Sequence, residues 1–451
     1  MRRRSRVRGA LAAVAAVCAV AVLPGQAYAA GEPGAYTFDP DAETVTGQEV
    51  SADAVALRPD TVYRSAISGN QKLYYRLNLD AKTNAYVSAV VVPKAGGEVA
   101  YGDGVTISIR DSSDDECSSQ DALFGSAQYP RPIAAYASRR IEADGSSCQE
   151  AGTYHVLVER QSKAASDQGE WELELRYVSE PALANPSSRP TEAPTSWPSA
   201  SPPPPVAATD NTRHGGAGHY DATSLETGEW KDRIEPGQTL FYRVPVDWGQ
   251  QLYATAGLSN STSAKNPFVG SALAMSLENP ALGHVTEVSP MAYAGKPTSV
   301  SLDPLPPVAY ENRYDSSDGT NGMRFAGWYY LSVSLSPRVA AAYGDKPITL
   351  TLQISVEGKA GETPYKGDAG IFAVTQGDKE AARKGQSGAQ AAAGADSGTM
   401  KVVAAAGIGT GTLLVLWLGV WTLVARRRAA AVPAAPANAG AYPYGGPPQA
   451  W

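Results

Sequence analysis

Residues 73–89 read LYYRLNLDAKTNAYVSA, and residues 240–256 read LFYRVPVDWGQQLYATA. The two stretches align without a gap. A second pair of similar stretches follows later in each half, GTYHVLV from Gly152 and GWYYLSV from Gly327. A chain that repeats itself in this way uses one kind of structural unit more than once. The sequence therefore predicts two related domains.

Hydrophobic alternation sets the fold class. Every second residue from 73 to 79 is apolar, and the same holds from 240 to 246. This period of two is typical of half-buried antiparallel strands. Further strands of this kind are predicted at residues 105–109, 154–158, 171–177 and 348–354. We therefore expect an all-β protein with two antiparallel β-sandwich domains of jelly-roll type, plus one C-terminal transmembrane helix.

The two ends of the chain indicate export and anchoring. A basic start, an apolar run at 11–23 and the small-residue site Ala27-Tyr28-Ala29 predict a signal peptide over 1–29. Residues 402–425 carry no charge and would span about 36 Å as a helix, enough to cross a bilayer. Three arginines at 426–428 mark the cytoplasmic side. We predict a single-pass cell-membrane protein with its N-terminus outside.

Within the predicted membrane helix, Gly407 and Gly411 form a small-xxx-small pair. Such a pair permits close packing of two helices, so it is a candidate contact for a weak homodimer. Gly is also common in membrane helices that do not associate, which leaves the alternative open.

Composition divides the rest of the chain. We predict an extended lead-in at 30–50, a first sandwich at 51–180, a Pro/Ser-rich linker at 181–219 and a second sandwich at 220–357. A Gly/Ala-rich stalk at 358–401 and a disordered cytoplasmic tail at 426–451 complete the division. Pro-rich segments of this kind act as semi-rigid spacers, so the linker predicts separated sandwiches.

Charge argues against nucleic acid as a partner. Of the 38 basic residues, five lie in the leader and three in the tail, so 30 face 45 acidic residues in the exported part. Such a surface repels polyanions. Cys117 and Cys148 remain once the leader, with Cys18, is removed. Two cysteines in an exported domain predict one structural disulfide.

At GQTLFYRVPV from Gly237 and GWYYLSV from Gly327, the chain resembles pre-peptidase C-terminal (PPC-like) β-sandwich domains. Gly69 and Gly152 begin the corresponding stretches of the first copy. The layout also resembles membrane-anchored surface proteins of actinobacterial type. PPC-like domains usually accompany the catalytic part of a protein, so the resemblance implies an accessory or binding role.

Two acidic loops are candidate metal sites. Asp111, Asp114 and Asp115 follow a predicted strand, and Asp315 and Asp318 precede one in the second copy. Clustered carboxylate and hydroxyl oxygens suit Ca²⁺ or Mg²⁺. Asp and Ser are equally good turn residues, which is the alternative. We expect no other cofactor.

Tyrosine is abundant, and exposed rings could stack on sugars, although buried packing is the more common role. The candidate stacking residues are Tyr74, Tyr101, Tyr129, Tyr136, Tyr310 and Tyr314.

Few residues suit catalysis. The chain has four His and contains neither G-x-S-x-G nor H-E-x-x-H. The sequence therefore predicts a non-enzymatic surface protein whose two modules bind an extracellular or envelope ligand, either glycan or protein. Two modules on a stiff spacer would allow bivalent binding. The alternatives are a hydrolytic enzyme with an acid-based site in one module and a purely structural envelope spacer.

Overall fold

The computed structural model describes residues 35–142, 145, 147–185, 190–205, 207–263 and 267–393. The predicted signal peptide, the apolar segment 402–425 with Gly407 and Gly411, and the tail all lie outside these residues. They therefore stay predictions. The described ranges hold no helix of the length and hydrophobicity needed to cross a bilayer.

The described part of the first half forms a two-sheet β-sandwich. Its strands are β1 (Glu43–Thr44), β2 (Val55–Ala56), β3 (Thr61–Ile67), β4 (Lys72–Leu79), β5 (Ala85–Val92), β6 (Gly104–Arg110), β7 (Glu116–Leu123), β8 (Ile133–Arg139), β9 (Gly152–Gln161) and β10 (Trp171–Ser179). The order β1-β3-β10-β5-β8 makes sheet A, and β2-β4-β9-β6-β7 makes sheet B. Only the short edge strands β1 and β2 pair in parallel.

The described part of the second half repeats this arrangement. Its strands are β11 (Ala207–Thr212), β12 (Thr223–Ser224), β13 (Gly228–Ile234), β14 (Thr239–Val246), β15 (Gln251–Leu258), β16 (Val269–Glu278), β17 (His284–Tyr293), β18 (Thr298–Ser301), β19 (Gly327–Leu335) and β20 (Ile348–Glu357). The order β12-β14-β19-β16-β17 makes sheet C, and β11-β13-β20-β15-β18 makes sheet D. The helices described are α1 (Asp318–Gly322), α2 (Arg338–Tyr343) and α3 (Gln376–Lys384).

The sequence repeat is a repeat of structure. Each strand of the first sandwich has a counterpart ten strands later, in the same place of the corresponding sheet. The register agrees as well, because Tyr75 lies opposite Val156 and the equivalent Tyr242 lies opposite Leu331. The prediction of two related, mostly antiparallel sandwiches is confirmed.

The period of two predicted for β4 is also confirmed. Leu73, Tyr75, Leu77 and Leu79 are buried between sheets A and B. The predicted disulfide joins Cys117 on β7 to Cys148 in the loop before β9. It closes a loop of 31 residues, which in the chain-entropy model is worth about 3–4 kcal/mol.

Strand β5 is buried on both faces, which no single sandwich can achieve. Its inward residues fill the first core, while Tyr86, Ser88 and Val90 on the other face are also inaccessible to solvent. Val90 packs in one cluster with Phe241 and Tyr330 of sheet C. The outer faces of sheets A and C therefore contact each other, and the sheets stack in the order B, A, C, D.

This stacking corrects the expectation of separated sandwiches. The Pro/Ser-rich segment does not hold the domains apart, because burying their apolar outer faces favours direct contact. Part of the segment instead lies on sheet D. The Pro198 carbonyl accepts hydrogen bonds from the Gln251 amide at 2.8 Å and the Tyr253 hydroxyl at 3.4 Å. Further along, β11 pairs with β13 at the edge of that sheet.

The segment predicted to be a stalk from residue 358 also packs on the sandwiches for much of its length. Tyr365 and Phe372 are buried and belong to the second core cluster. Helix α3 begins with a capping box at Thr375, and the Asp378 carboxylate accepts a hydrogen bond from the Trp328 indole at 2.9 Å. Aromatic side chains within a Gly/Ala-rich segment explain this difference, because each gains by leaving water.

A buried carboxylate joins three parts of the chain. Glu180, at the end of β10, accepts hydrogen bonds from both terminal nitrogens of Arg313, at 2.6 and 3.1 Å. It also accepts from Asn84, Tyr86 and Tyr365 at 2.7 to 2.9 Å. Burial alone would raise the pKa of Glu180, but the Arg313 charge and these donors hold it below its usual value.

Replacing Arg313 by Met should leave Glu180 buried without its cation. We expect the free energy of unfolding to fall by about 3–5 kcal/mol in urea titrations. Arg58, which pairs with Glu43 at the surface, is the matched control. Arg58→Met should change stability by no more than about 1 kcal/mol. Equal losses in the two variants would contradict the proposed importance of the buried pair.

The same carboxylate predicts a pH dependence. The pKa of Glu180 is lower in the folded state than its reference value of 4.5. The contribution of Glu180 to the free energy of unfolding is therefore complete above pH 4.5 and is lost as the pH falls below it. We expect the stability difference between the wild type and Glu180→Gln to narrow as urea titrations move from neutral pH to about pH 3. A difference that stays constant over this range would refute this assignment.

Candidate functional site

A cleft of about 230 Å³ opens where the two sandwiches meet. Residues of both sandwiches line it, from the ends of β7 and β8 and from the hairpin of β16 and β17. Its polar and aromatic lining consists of Tyr101, Asp121, Arg131, Ser276, Glu278, His284 and Glu287, and Leu123, Ile133 and Ala134 supply apolar wall.

The β16–β17 hairpin positions the second-sandwich side of the cleft. Its turn is fixed by the Asn279 side-chain oxygen, which accepts hydrogen bonds from the backbone N–H groups of Ala281 and Gly283 at 3.0 Å each. The hairpin is also tied to the first sandwich, because the Gln120 side-chain oxygen accepts from the N–H of His284 at 3.3 Å. The two walls of the cleft therefore hold a fixed relative position.

Arg131 supplies a fixed positive charge in the wall. Its side chain is buried against the rings of Phe124 and Tyr129, and its guanidinium donates to the Phe124 carbonyl at 3.3 Å. From there it reaches Glu287 across the domain boundary, with a nitrogen–oxygen distance of 3.3 Å. Packing on two aromatic rings holds the cation in place.

Glu278 is the most deeply buried acid of the cleft, with 3 % of its surface exposed. Its Oε1 accepts a hydrogen bond from the Ser276 hydroxyl at 2.6 Å. Its Oε2 has no hydrogen-bond partner among the described residues. Nε2 of His219 lies 3.9 Å from this oxygen. An unpaired oxygen in a buried carboxylate is costly, so this atom marks the site.

Behind Glu278, a row of polar groups runs along the boundary between the sandwiches. The Tyr36 hydroxyl oxygen lies 2.9 Å from Nδ1 of His219 and 3.4 Å from Oε2 of Glu174. Burial raises the pKa of both Tyr36 and Glu174 above their usual values. The site therefore contains residues from the lead-in, from β10 and from the segment before β12.

The charges of the cleft define its chemistry. The carboxylates of Asp121, Glu278 and Glu287 face one guanidinium, that of Arg131. Tyr101 is exposed over 63 % of its surface and presents an aromatic ring at the entrance. Such a lining offers many hydrogen-bond acceptors and an aromatic face, and its negative excess disfavours an anionic ligand.

The first predicted metal loop forms a turn. Oδ1 of Asp111 accepts hydrogen bonds from the backbone N–H groups of Ser113 and Asp115, at 2.8 and 3.0 Å. Asp114 is exposed and lies 3.6 Å from Arg110. These contacts fit the turn role that the sequence left open, and metal binding by these residues stays a prediction.

The second predicted metal loop behaves in the same way. Asp315 accepts hydrogen bonds from the N–H and hydroxyl of Ser317, at 2.8 and 2.6 Å, and these bonds lower its pKa. Asp318 begins helix α1. Over the ranges that the structure describes, no three His, Cys, Asp or Glu side chains are grouped to hold a metal ion. Metal binding by Asp315 and Asp318 therefore stays a prediction.

The predicted stacking tyrosines divide into two sets. Tyr129, Tyr136 and Tyr310 are buried and belong to core clusters that include residues of both sandwiches, so they are not free to stack on a ligand. Tyr101 and Tyr314 are exposed, and of these two Tyr101 lines the cleft. Tyr74 is half-buried on β4.

No protein-family model and no curated protein matches the chain. Among solved structures it is similar to the CBM22-1-CBM22-2 tandem domain of Paenibacillus barcinonensis Xyn10C, with 11 % identity, 66 % of this chain and 91 % of that chain covered, and a TM-score of 0.20. It is also similar to the human MASP-1/3 CUB1-EGF-CUB2 domain, with 7 % identity, 65 % of this chain and 99 % of that chain covered, and a TM-score of 0.17. A third similar structure is the Arabidopsis thaliana ANX2 ectodomain, with 8 % identity, 67 % of this chain and 86 % of that chain covered, and a TM-score of 0.20. Scores this low support no functional argument, and the PPC-like resemblance stays a prediction.

Sequence reasoning missed most of the cleft. His219 falls at the end of the predicted linker, and Arg131, Glu278 and Glu287 belong to no motif. One signal was available: the alternation of β16 places Glu278 on the face opposite Leu277, in line with Ser276. An acid on a strand face covered by another sheet is unusual enough to indicate a site.

Replacing Tyr36 by Phe removes the hydroxyl that contacts both His219 and Glu174. We expect the free energy of unfolding to fall by about 1–3 kcal/mol, because buried polar atoms lose a partner. Tyr253→Phe is the control, since its hydroxyl lies at the surface, and it should change stability by no more than about 0.5 kcal/mol. Urea unfolding monitored by fluorescence measures both, and similar values would count against the buried row.

Proposed function

We propose that the protein binds an extracellular, hydroxyl-rich ligand, such as the end of a glycan chain, in the cleft between its two sandwiches, without catalysing a reaction. The observation that carries the proposal is that the exposed ring of Tyr101 and the buried carboxylate of Glu278 line the same cleft. Aromatic faces pack against the C–H faces of sugars, and carboxylates accept hydrogen bonds from sugar hydroxyls.

The packing of the sandwiches changes the expected mode of binding. The cleft takes residues from both copies, so one chain carries one composite site there and not two equivalent ones. Binding to this cleft is therefore monovalent per chain. The predicted signal peptide and membrane segment would place the site outside the cell, on the side where envelope or extracellular glycans are found.

Two other functions from the sequence remain as alternatives. A purely structural spacer needs no polar cleft and no exposed aromatic ring beside one, so the lining favours binding. A hydrolase would use two of the acids that meet at the cleft, Asp121, Glu278 and Glu287. A spacer would retain no glycan, a hydrolase would cleave the glycan that it retains, and a binding protein would retain the glycan unchanged.

A glycan array tests the proposal with the full chain, purified in a detergent that lacks a sugar headgroup. Tyr101→Ala should weaken retention of the bound glycans about tenfold, because the stacking surface is lost. Tyr314→Ala removes an exposed tyrosine outside the cleft and should leave retention unchanged.

Two results would contradict the proposed function. An array without any retained glycan would favour the spacer. Release of new reducing ends from a retained glycan, abolished in Glu278→Gln, would favour the hydrolase.

A further inference from the structure

Two buried polar atoms face each other across a gap beside the cleft. They are Oε2 of Glu278 and Nε2 of His219, and among the described residues neither has a hydrogen-bond partner. Both side chains are more than nine-tenths buried. Their separation of 3.9 Å exceeds hydrogen-bond range. Such orphaned atoms need an explanation.

Packing holds the two atoms apart. The His219 ring packs against the rings of Phe241 and Tyr330, at centroid distances of 4.9 and 5.4 Å. The Glu278 carboxylate is held from its other oxygen by Ser276. Direct closure of the gap would require one of these contacts to shift.

The positions of the protons make one of the two atoms a hydrogen-bond donor and the other an acceptor. Nδ1 of His219 lies nearer to the Tyr36 hydroxyl than Glu174 does, 2.9 Å against 3.4 Å. When this hydroxyl donates to Nδ1, a neutral imidazole carries its proton on Nε2. The gap then has a donor on the His219 side and a carboxylate oxygen as acceptor on the Glu278 side.

We propose that this gap takes one hydroxyl group of the ligand, which donates to Oε2 of Glu278 and accepts from Nε2–H of His219. An oxygen about 2.8 Å from each atom forms a triangle on their separation. Glu278 lines the cleft, so the hydroxyl enters from there. This inference rests on the proposed function and adds the group by which the ligand is recognised.

The donor–acceptor pair selects by chemistry. An ammonium group has no lone pair to accept from Nε2–H, and a carboxylate has no proton to donate to Glu278. A neutral hydroxyl satisfies both atoms. An analogue lacking it would leave both unpaired, which is the condition under which hydrogen-bonding sites discriminate most strongly.

The test uses methyl β-D-glucoside, methyl β-D-galactoside and methyl α-D-mannoside with their monodeoxy analogues. Binding to the full chain is measured by calorimetry in a detergent without a sugar headgroup. We expect at least one glycoside to bind, and one of its monodeoxy analogues to bind about ten- to a hundredfold more weakly.

Variants then locate the hydroxyl. Glu278→Met has a similar length and removes a buried charge, so folding should be retained. In this variant the parent glycoside and that deoxy analogue should bind within about twofold of each other. His219→Asn keeps a polar atom near Tyr36 but lacks the Nε2 donor. It should also reduce the difference in affinity between the parent glycoside and the deoxy analogue. Glu43→Gln, at the surface outside the cleft, should keep the discrimination between the two ligands.

The outcomes distinguish a failure of the proposed hydroxyl site from a failure of the proposed glycan binding. If Glu278→Met and His219→Asn discriminate as the wild type does, or if no deoxy analogue is weaker, the gap holds only a water and the inference fails while glycan binding stands. If none of the glycosides binds, both the inference and the proposed function fail.

Discussion

Contact between the outer faces of sheets A and C is the constraint on which the rest of the structure depends. It buries both faces of β5, including Tyr86 and Val90, and thereby fuses two sandwiches into a stack of four sheets. At one end of the contact, Glu180 and Arg313 form a fully paired, buried ion pair. Apolar burial supplies the driving force, and the ion pair penalises any other docking, because misplacing either residue leaves a charge unpaired.

The cleft exists only because of this docking. Glu278 and His219 would lie at the surface of a free second sandwich, and in the stack they become a buried pair whose facing atoms are 3.9 Å apart. The surroundings of Glu278 and His219 therefore depend on differences between the two copies. His155 of the first copy occupies the place of Tyr330 in the second, where Tyr330 packs on His219.

Sequence patterns predicted the features that depend on residues close together in the chain. Alternation in β4 and β14 predicted the sandwiches. The expected export of the two cysteines predicted the disulfide, which the structure contains. The run AYVSAVVV of β5 contained a further signal, since a continuously apolar strand is buried on both sides. The cleft could not be predicted, because it joins residues more than 100 positions apart that meet only after the sandwiches dock. Composition also misled at Tyr365 and Phe372, whose aromatic packing outweighs the Gly/Ala-rich surroundings.

The docking is heterologous: the first copy uses the sheet that holds β5, and the second uses the opposite kind of sheet. A contact of this type does not close on itself, so each end of the stack retains a face able to receive another unit. On sheet D that face includes Tyr253, the counterpart of Tyr86, and it is here that the chain lays its proline-rich segment. Prolines offer no N–H groups for strand pairing. The segment predicted to be a spacer therefore covers part of this outer face of sheet D.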